Sequence, residues 1–119
     1  MKYKIILTGA TGMVGEGVLH ECLQHPSIEQ VLIINRKPSG MTHAKLKEII
    51  HSDFNNINPI ADKLAGYDAC LFCLGVSAVG MKEDDYTRLT YTLTLHVAKT
   101  MLQQNPGMTF CYISGAGTD

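Results

Sequence analysis

A strand-like apolar run that passes straight into three evenly spaced glycines limits what this chain can fold into. Residues 5–15 read Ile5-Ile6-Leu7-Thr8-Gly9-Ala10-Thr11-Gly12-Met13-Val14-Gly15, and a helical pattern follows at once. Strand, glycine turn and helix, in that order, are what a phosphate cradle requires. A tight turn brings backbone close to an anion, and the first helical turn offers N–H groups and the positive end of a dipole. On this reading Gly9 permits the turn, Gly12 lets backbone approach a pyrophosphate, and Gly15 lets the helix pack closely on the strand. The N–H groups of Met13 and Val14 point at phosphate oxygens. The spacing G-x-x-G-x-x-G differs by one from the common G-x-G-x-x-G fingerprint.

The remaining pattern alternates strands with helices. Strands are expected at Tyr3–Thr8, Gln30–Asn35, Lys45–His51, Ala69–Leu74 and Met108–Ser114. Helices are expected at Met13–His25, Pro59–Ala65 and Asp84–Gln104, with Asp84 or Asp85 capping the last. Val31-Leu32-Ile33-Ile34 is apolar at consecutive positions, the mark of a parallel strand covered on both faces. Lys45, Lys47 and Glu48 make the third strand an edge. Leu89, Leu93, Val97 and Met101 recur every four residues, with Leu102 beside them. The fold class is therefore α/β, a Rossmann-type three-layer parallel sheet with strand order 3-2-1-4-5.

With 119 residues the chain suits one domain, and such a domain buries roughly two-thirds of its unfolded surface without needing a disulfide or metal. A net charge of −1 gives no basic field for nucleic acid. The apolar runs are far shorter than a membrane span or a signal peptide requires, so a cytoplasmic protein is expected. Cys70 and Cys73 form a C-x-x-C, but both fall within a strand, where residues three apart face opposite ways. Packing, not metal or redox chemistry, is expected of them. The five histidines show no ligand spacing, and no metal site is expected.

The end of the second strand bears on cofactor choice. A dinucleotide fold places an acidic residue there to hold the ribose of NAD. This chain has Asn35-Arg36-Lys37. Two cations suit a 2′-phosphate, with Arg36 able to bind it bidentately, so NADP is preferred over NAD.

Thr8-Gly9-Ala10-Thr11-Gly12-Met13-Val14-Gly15 resembles the T-G-A-T-G-x-x-G turn of extended and atypical short-chain dehydrogenases/reductases, a group that includes the NAD-dependent epimerase/dehydratase family. The resemblance runs over nearly the whole chain. It implies cofactor contacts from Gly9, Thr11, Gly12, Met13, Val14 and Gly15. It also implies that Asp53 and Phe54 lie at the adenine ring and that Leu74, Gly75 and Val76 run past the cofactor ribose. Ser114, at the end of the fifth strand, resembles the family's active-site hydroxyl and would help hold a substrate oxygen.

The family's chemistry resembles hydride transfer assisted by a Tyr with a Lys four residues later. Four positions after Tyr3, Tyr67, Tyr86, Tyr91 and Tyr112 stand Leu7, Leu71, Thr90, Leu95 and Ala116, so no Y-x-x-x-K occurs. The expectation is an N-terminal dinucleotide-binding part of a longer epimerase, dehydratase or reductase that binds cofactor without turnover. The alternative is a non-catalytic redox sensor or regulatory module. A methyltransferase fits poorly, because Asn35-Arg36 replaces the ribose-binding carboxylate, and the absence of G-K-[ST] excludes a P-loop. The apolar fifth strand, if uncovered, is expected to promote self-association.

Overall fold

Five strands form one parallel sheet in the order β3-β2-β1-β4-β5. The computed structural model describes residues 2–9, 13–35, 38, 40–51, 56–73 and 83–113, with 13, 14, 83–90 and 113 described as backbone only. The elements are β1 (Tyr3–Thr8), α1 (Met13–Gln24), β2 (Ile28–Asn35), β3 (Leu46–Ile50), a 3-10 helix (Asn58–Leu64), β4 (Ala69–Cys73), α2 (Glu83–Gln104) and β5 (Thr109–Ile113). The sheet order is the one the sequence pattern predicts. Among the described residues no helix is long and apolar enough to cross a membrane.

Strand alternation divides the core into two layers. Ile6, Leu32, Ile34, Cys70 and Phe72 face Leu93, Val97 and Met101 of α2, together with Ile57, Ile60 and Leu64 around the 3-10 helix. Leu7, Val31, Ile33 and Cys73 face Leu19, Cys22 and Leu23 of α1. The central strands are thus covered on both sides, which is why Val31–Ile34 can be apolar without a break. Cys70 and Cys73 fall in different layers, as their spacing on a strand requires.

Several boundaries differ from the sequence expectation. β2 starts two residues early because Ile28 pairs with Tyr3, whose N–H donates to the Ser27 carbonyl at 2.7 Å. α1 stops at Gln24, one residue short of His25, since the residue before Pro26 is pushed out of helical geometry. α2 begins at Glu83, so Asp84 and Asp85 lie inside its first turn and do not cap it. Leu102 is exposed and does not join the stripe of Leu93, Val97 and Met101. It lies about 100° around the helix from Met101, on the face turned from the sheet.

The Asn105-Pro106-Gly107 stop does more than end α2. Asn105 is buried. Its Oδ1 accepts from the N–H groups of Gly66 at 2.7 Å and Tyr67 at 2.9 Å, and its Nδ2 donates to the Leu64 carbonyl at 2.7 Å. Nδ2 also lies 3.3 Å from the Met101 carbonyl. This single amide joins the end of α2 to the turn between the 3-10 helix and β4. Gly66 takes φ +91° in that turn, a conformation that favours glycine.

Candidate dinucleotide site

In a parallel sheet every strand ends at the same edge, and ligands of open α/β sheets bind beyond it. Here that edge collects Thr8, Asn35 and Cys73, the last residues of β1, β2 and β4. Gly9 leaves β1 with φ +72°. A Cβ there would overlap the Cys73 carbonyl oxygen and stand 3.0 Å from the carbonyl carbon and 3.1 Å from the Cys73 Cβ. The obstacle is main chain and cannot rotate away, so glycine is required both for φ and for space. Thr8 fastens the same point. Its buried hydroxyl donates to the Cys73 carbonyl at 3.3 Å.

α1 starts four residues after Gly9, at Met13. By helix geometry, the N–H groups of Met13, Val14 and Gly15 have no partner within the helix. Gly15 is buried in this first turn. The turn therefore combines a crowded glycine with a helix N-terminus at the edge where the parallel strands end. Thr11 and Gly12 lie outside the described residues.

Asn35 closes β2 and is 4% exposed. Its main-chain carbonyl accepts from His51 N–H at 2.8 Å, which extends the ladder to the end of β3. Its Nδ2 donates to Glu48 Oε2 at 2.7 Å. Its Oδ1 is buried without a partner; Thr94 Oγ1 on α2 is the other such side-chain atom among the described residues. A glycine cradle and an unsatisfied acceptor on one edge fit a ligand with phosphate and hydroxyl groups. Arg36 and Lys37, which follow Asn35, lie outside the described residues.

Two histidines fix the chain around the segment that carries Asp53 and Phe54, themselves outside the described residues. His51 Nε2 donates to the Asn56 carbonyl at 2.8 Å. His96 on α2 accepts the Ile57 N–H through Nε2 at 3.1 Å, so its proton sits on Nδ1. Spacing alone cannot mark the second contact, because Ile57 and His96 are 39 residues apart.

The buried cysteines are poor nucleophiles. Burial, with smaller contributions from Cys73 and Cys111, pushes the Cys70 thiol up to about 12. Burial also raises Cys73, with Cys111 and Cys22 adding to it, and raises Cys22, with Glu21 adding to it. Thiols held protonated do not attack or ligate. Among the described residues no three His, Cys, Asp or Glu side chains gather as a metal site. Tyr67, whose hydroxyl accepts from Gln30 Nε2 at 2.6 Å, lies just before β4, at the opposite edge from the glycine turn. Leu74, Gly75, Val76 and Ser114 lie outside the described residues.

Residues 5–118 match the NAD dependent epimerase/dehydratase family. The chain belongs to that family. It is 32% identical over 116 residues to the leucinostatins biosynthesis cluster protein T of Purpureocillium lilacinum, covering 95% of this chain and 43% of that protein. Its fold is similar to that of ADP-L-glycero-D-manno-heptose-6-epimerase from Helicobacter pylori. The TM-score is 0.69 at 20% identity, over 98% of this chain and 40% of the epimerase. It is also similar to uronate dehydrogenase from Agrobacterium tumefaciens in complex with NAD. There the TM-score is 0.67 at 18% identity, over 92% of this chain and 40% of the dehydrogenase. The chain thus spans about two-fifths of these relatives' length. Family membership makes the nucleotide cofactor of an epimerase/dehydratase the ligand to weigh against this edge.

Proposed function

We propose that this chain is the dinucleotide-binding part of an NAD(P)-dependent epimerase, dehydratase or reductase. The observation that carries the reading is Gly9, pressed against the Cys73 carbonyl immediately ahead of α1, where only a bare backbone turn fits. The N–H groups of Met13 and Val14, with Gly9, Thr11, Gly12 and Gly15, hold the pyrophosphate through partial positive charge that needs no rearrangement on binding. Arg36 and Lys37 favour the 2′-phosphate of NADP over NAD. Asp53 and Phe54 meet the adenine, Leu74, Gly75 and Val76 run along the ribose, and Ser114 steadies a substrate oxygen. The cofactor supplies hydride transfer at a carbinol or ketone carbon.

No Y-x-x-x-K pair stands in these 119 residues, so we propose that they bind cofactor and turn nothing over. β5 is one of the two edge strands, and we propose self-association along it in a cytoplasmic setting. Isothermal titration of NADP and NAD against the chain tests the central reading. Binding of either, lost in Gly9→Val folded to native-like helix content, supports it. A wild-type chain that takes up neither cofactor overturns it.

A further inference from the structure

The 3-10 helix lies against α2 and is pinned to it at both ends. At its finish, the Leu64 carbonyl accepts from Asn105 Nδ2 at 2.7 Å. At its start, Ile57 offers no capping side chain, and its N–H donates to His96 Nε2 at 3.1 Å. Between the pins, Ile57, Ile60 and Leu64 are buried in the core layer that α2 covers. The two pins differ in chemistry. The Asn105 amide does not titrate. An imidazole nitrogen accepts only while it carries no proton, and imidazolium has N–H on both nitrogens. A third contact holds the preceding residue from the end of β3, where His51 Nε2 donates to the Asn56 carbonyl at 2.8 Å. That bond survives protonation, because imidazolium still donates.

We propose that the His96–Ile57 bond is an acid-sensitive latch: protonation of His96 frees the start of the 3-10 helix from α2, while Asn105 holds its finish in place. Two N–H groups then face each other where one bond stood, and one of them is charged. The charged and titratable groups on the packed elements are Asp62 and Lys63 on the 3-10 helix, Lys99 on α2 and His51 beyond Asn56. Asp62, Lys63 and Lys99 are exposed. Lys99 follows His96 by three residues, so it disfavours a second positive charge there. Among the described residues no carboxylate pairs with His96 to offset one. Imidazole takes its second proton below about pH 6.5, so the latch is closed in neutral or alkaline solution and opens as the solution turns acid. Opening uncovers Ile57 and Ile60, an apolar surface that the closed form hides. The latch does not depend on a ligand at the glycine turn.

Amide hydrogen exchange of the 119-residue chain, corrected for the intrinsic rate at each pH, tests this. Between about pH 7.5 and about pH 5.5, protection at Ile57 should fall roughly three- to tenfold, because opening takes up a proton. Gly66 and Tyr67, whose N–H groups donate to Asn105 Oδ1, should lose less than about twofold. His96→Gln puts an amide oxygen in place of the ring nitrogen and does not titrate, so the fall at Ile57 should vanish. Should that variant fail to fold, wild type alone decides: the Ile57 amide and His96 ring resonances should move with one common midpoint. A fall at Ile57 that persists in His96→Gln overturns the latch. So do parallel losses at Gly66 and Tyr67, or an Ile57 resonance that stays still while His96 titrates.

Discussion

Two buried asparagines stand at different places in this fold, and they are treated differently. Asn105 makes hydrogen bonds with both ends of its amide, to Gly66, Tyr67 and Leu64. Asn35 uses only its nitrogen. The first sits where α2 meets the turn before β4, and everything it needs is supplied by the chain. The second sits at the edge where parallel strands end, and part of what it needs is missing. A satisfied buried amide specifies structure; a half-satisfied one leaves an acceptor that the chain itself does not fill.

The largest expected effect lies beside Asn35, at Gly9. Gly9→Ala forces a side chain into φ +72° and against main chain. It should cost about 2–5 kcal/mol in chemical denaturation. A loss under 1 kcal/mol would show that the turn yields, and would weaken the case for a rigid cradle. Asn105→Ala should come next, at about 2–4 kcal/mol, because it strands the Leu64 carbonyl and two N–H groups. Cofactor affinity measured well below the melting point should be unchanged. A loss of affinity in this variant would show that Asn105 serves the cofactor edge as well as the fold.

A third prediction concerns pH. Folding raises the Cys70 thiol from its usual value near 9 to about 12. Below pH 9 the thiol is protonated in both states, and its burial counts fully toward stability. As pH rises from 9 toward 12 the unfolded chain ionises first, so stability falls by about 1.4 kcal/mol per pH unit for this group. Cys22 and Cys73 push in the same direction. Urea midpoints should drop between pH 8.5 and 10, and Cys70→Ala should flatten that slope. The smallest effect is expected from Glu16→Gln. The Glu16–His20 pair is 3.8 Å apart and exposed, so stability should change by under about 0.5 kcal/mol.

Much of this was legible in the sequence because it rests on local periodicity. Consecutive apolar residues at Val31–Ile34 announced a strand covered on both faces, and a period of two placed Cys70 and Cys73 in separate layers. Positions set by long-range contact were not legible. Asn105 beside Pro106 and Gly107 reads as a helix stop, and only tertiary packing brings Leu64 and Tyr67 to it. His96 reads as one of five scattered histidines until the fold lays Ile57 against it. Leu102 adjoins Met101 in sequence, and spacing cannot say which of two neighbours turns inward. Spacing alone suggests a phosphate cradle at the glycine turn, but the reason Gly9 must be glycine, the Cys73 carbonyl 64 residues away, is visible only in the sheet.

The contact between Gly9 and Cys73 has a consequence for the genetics of this chain. Most crowded core positions can be rescued by trimming the neighbour, since one side chain yields to another. Here the first atom in the way is the main-chain oxygen of Cys73, which every amino acid carries. No replacement at position 73 removes it. A second-site suppressor of a Gly9 substitution would have to move the end of β4 as a whole, and screens confined to side-chain partners should return none.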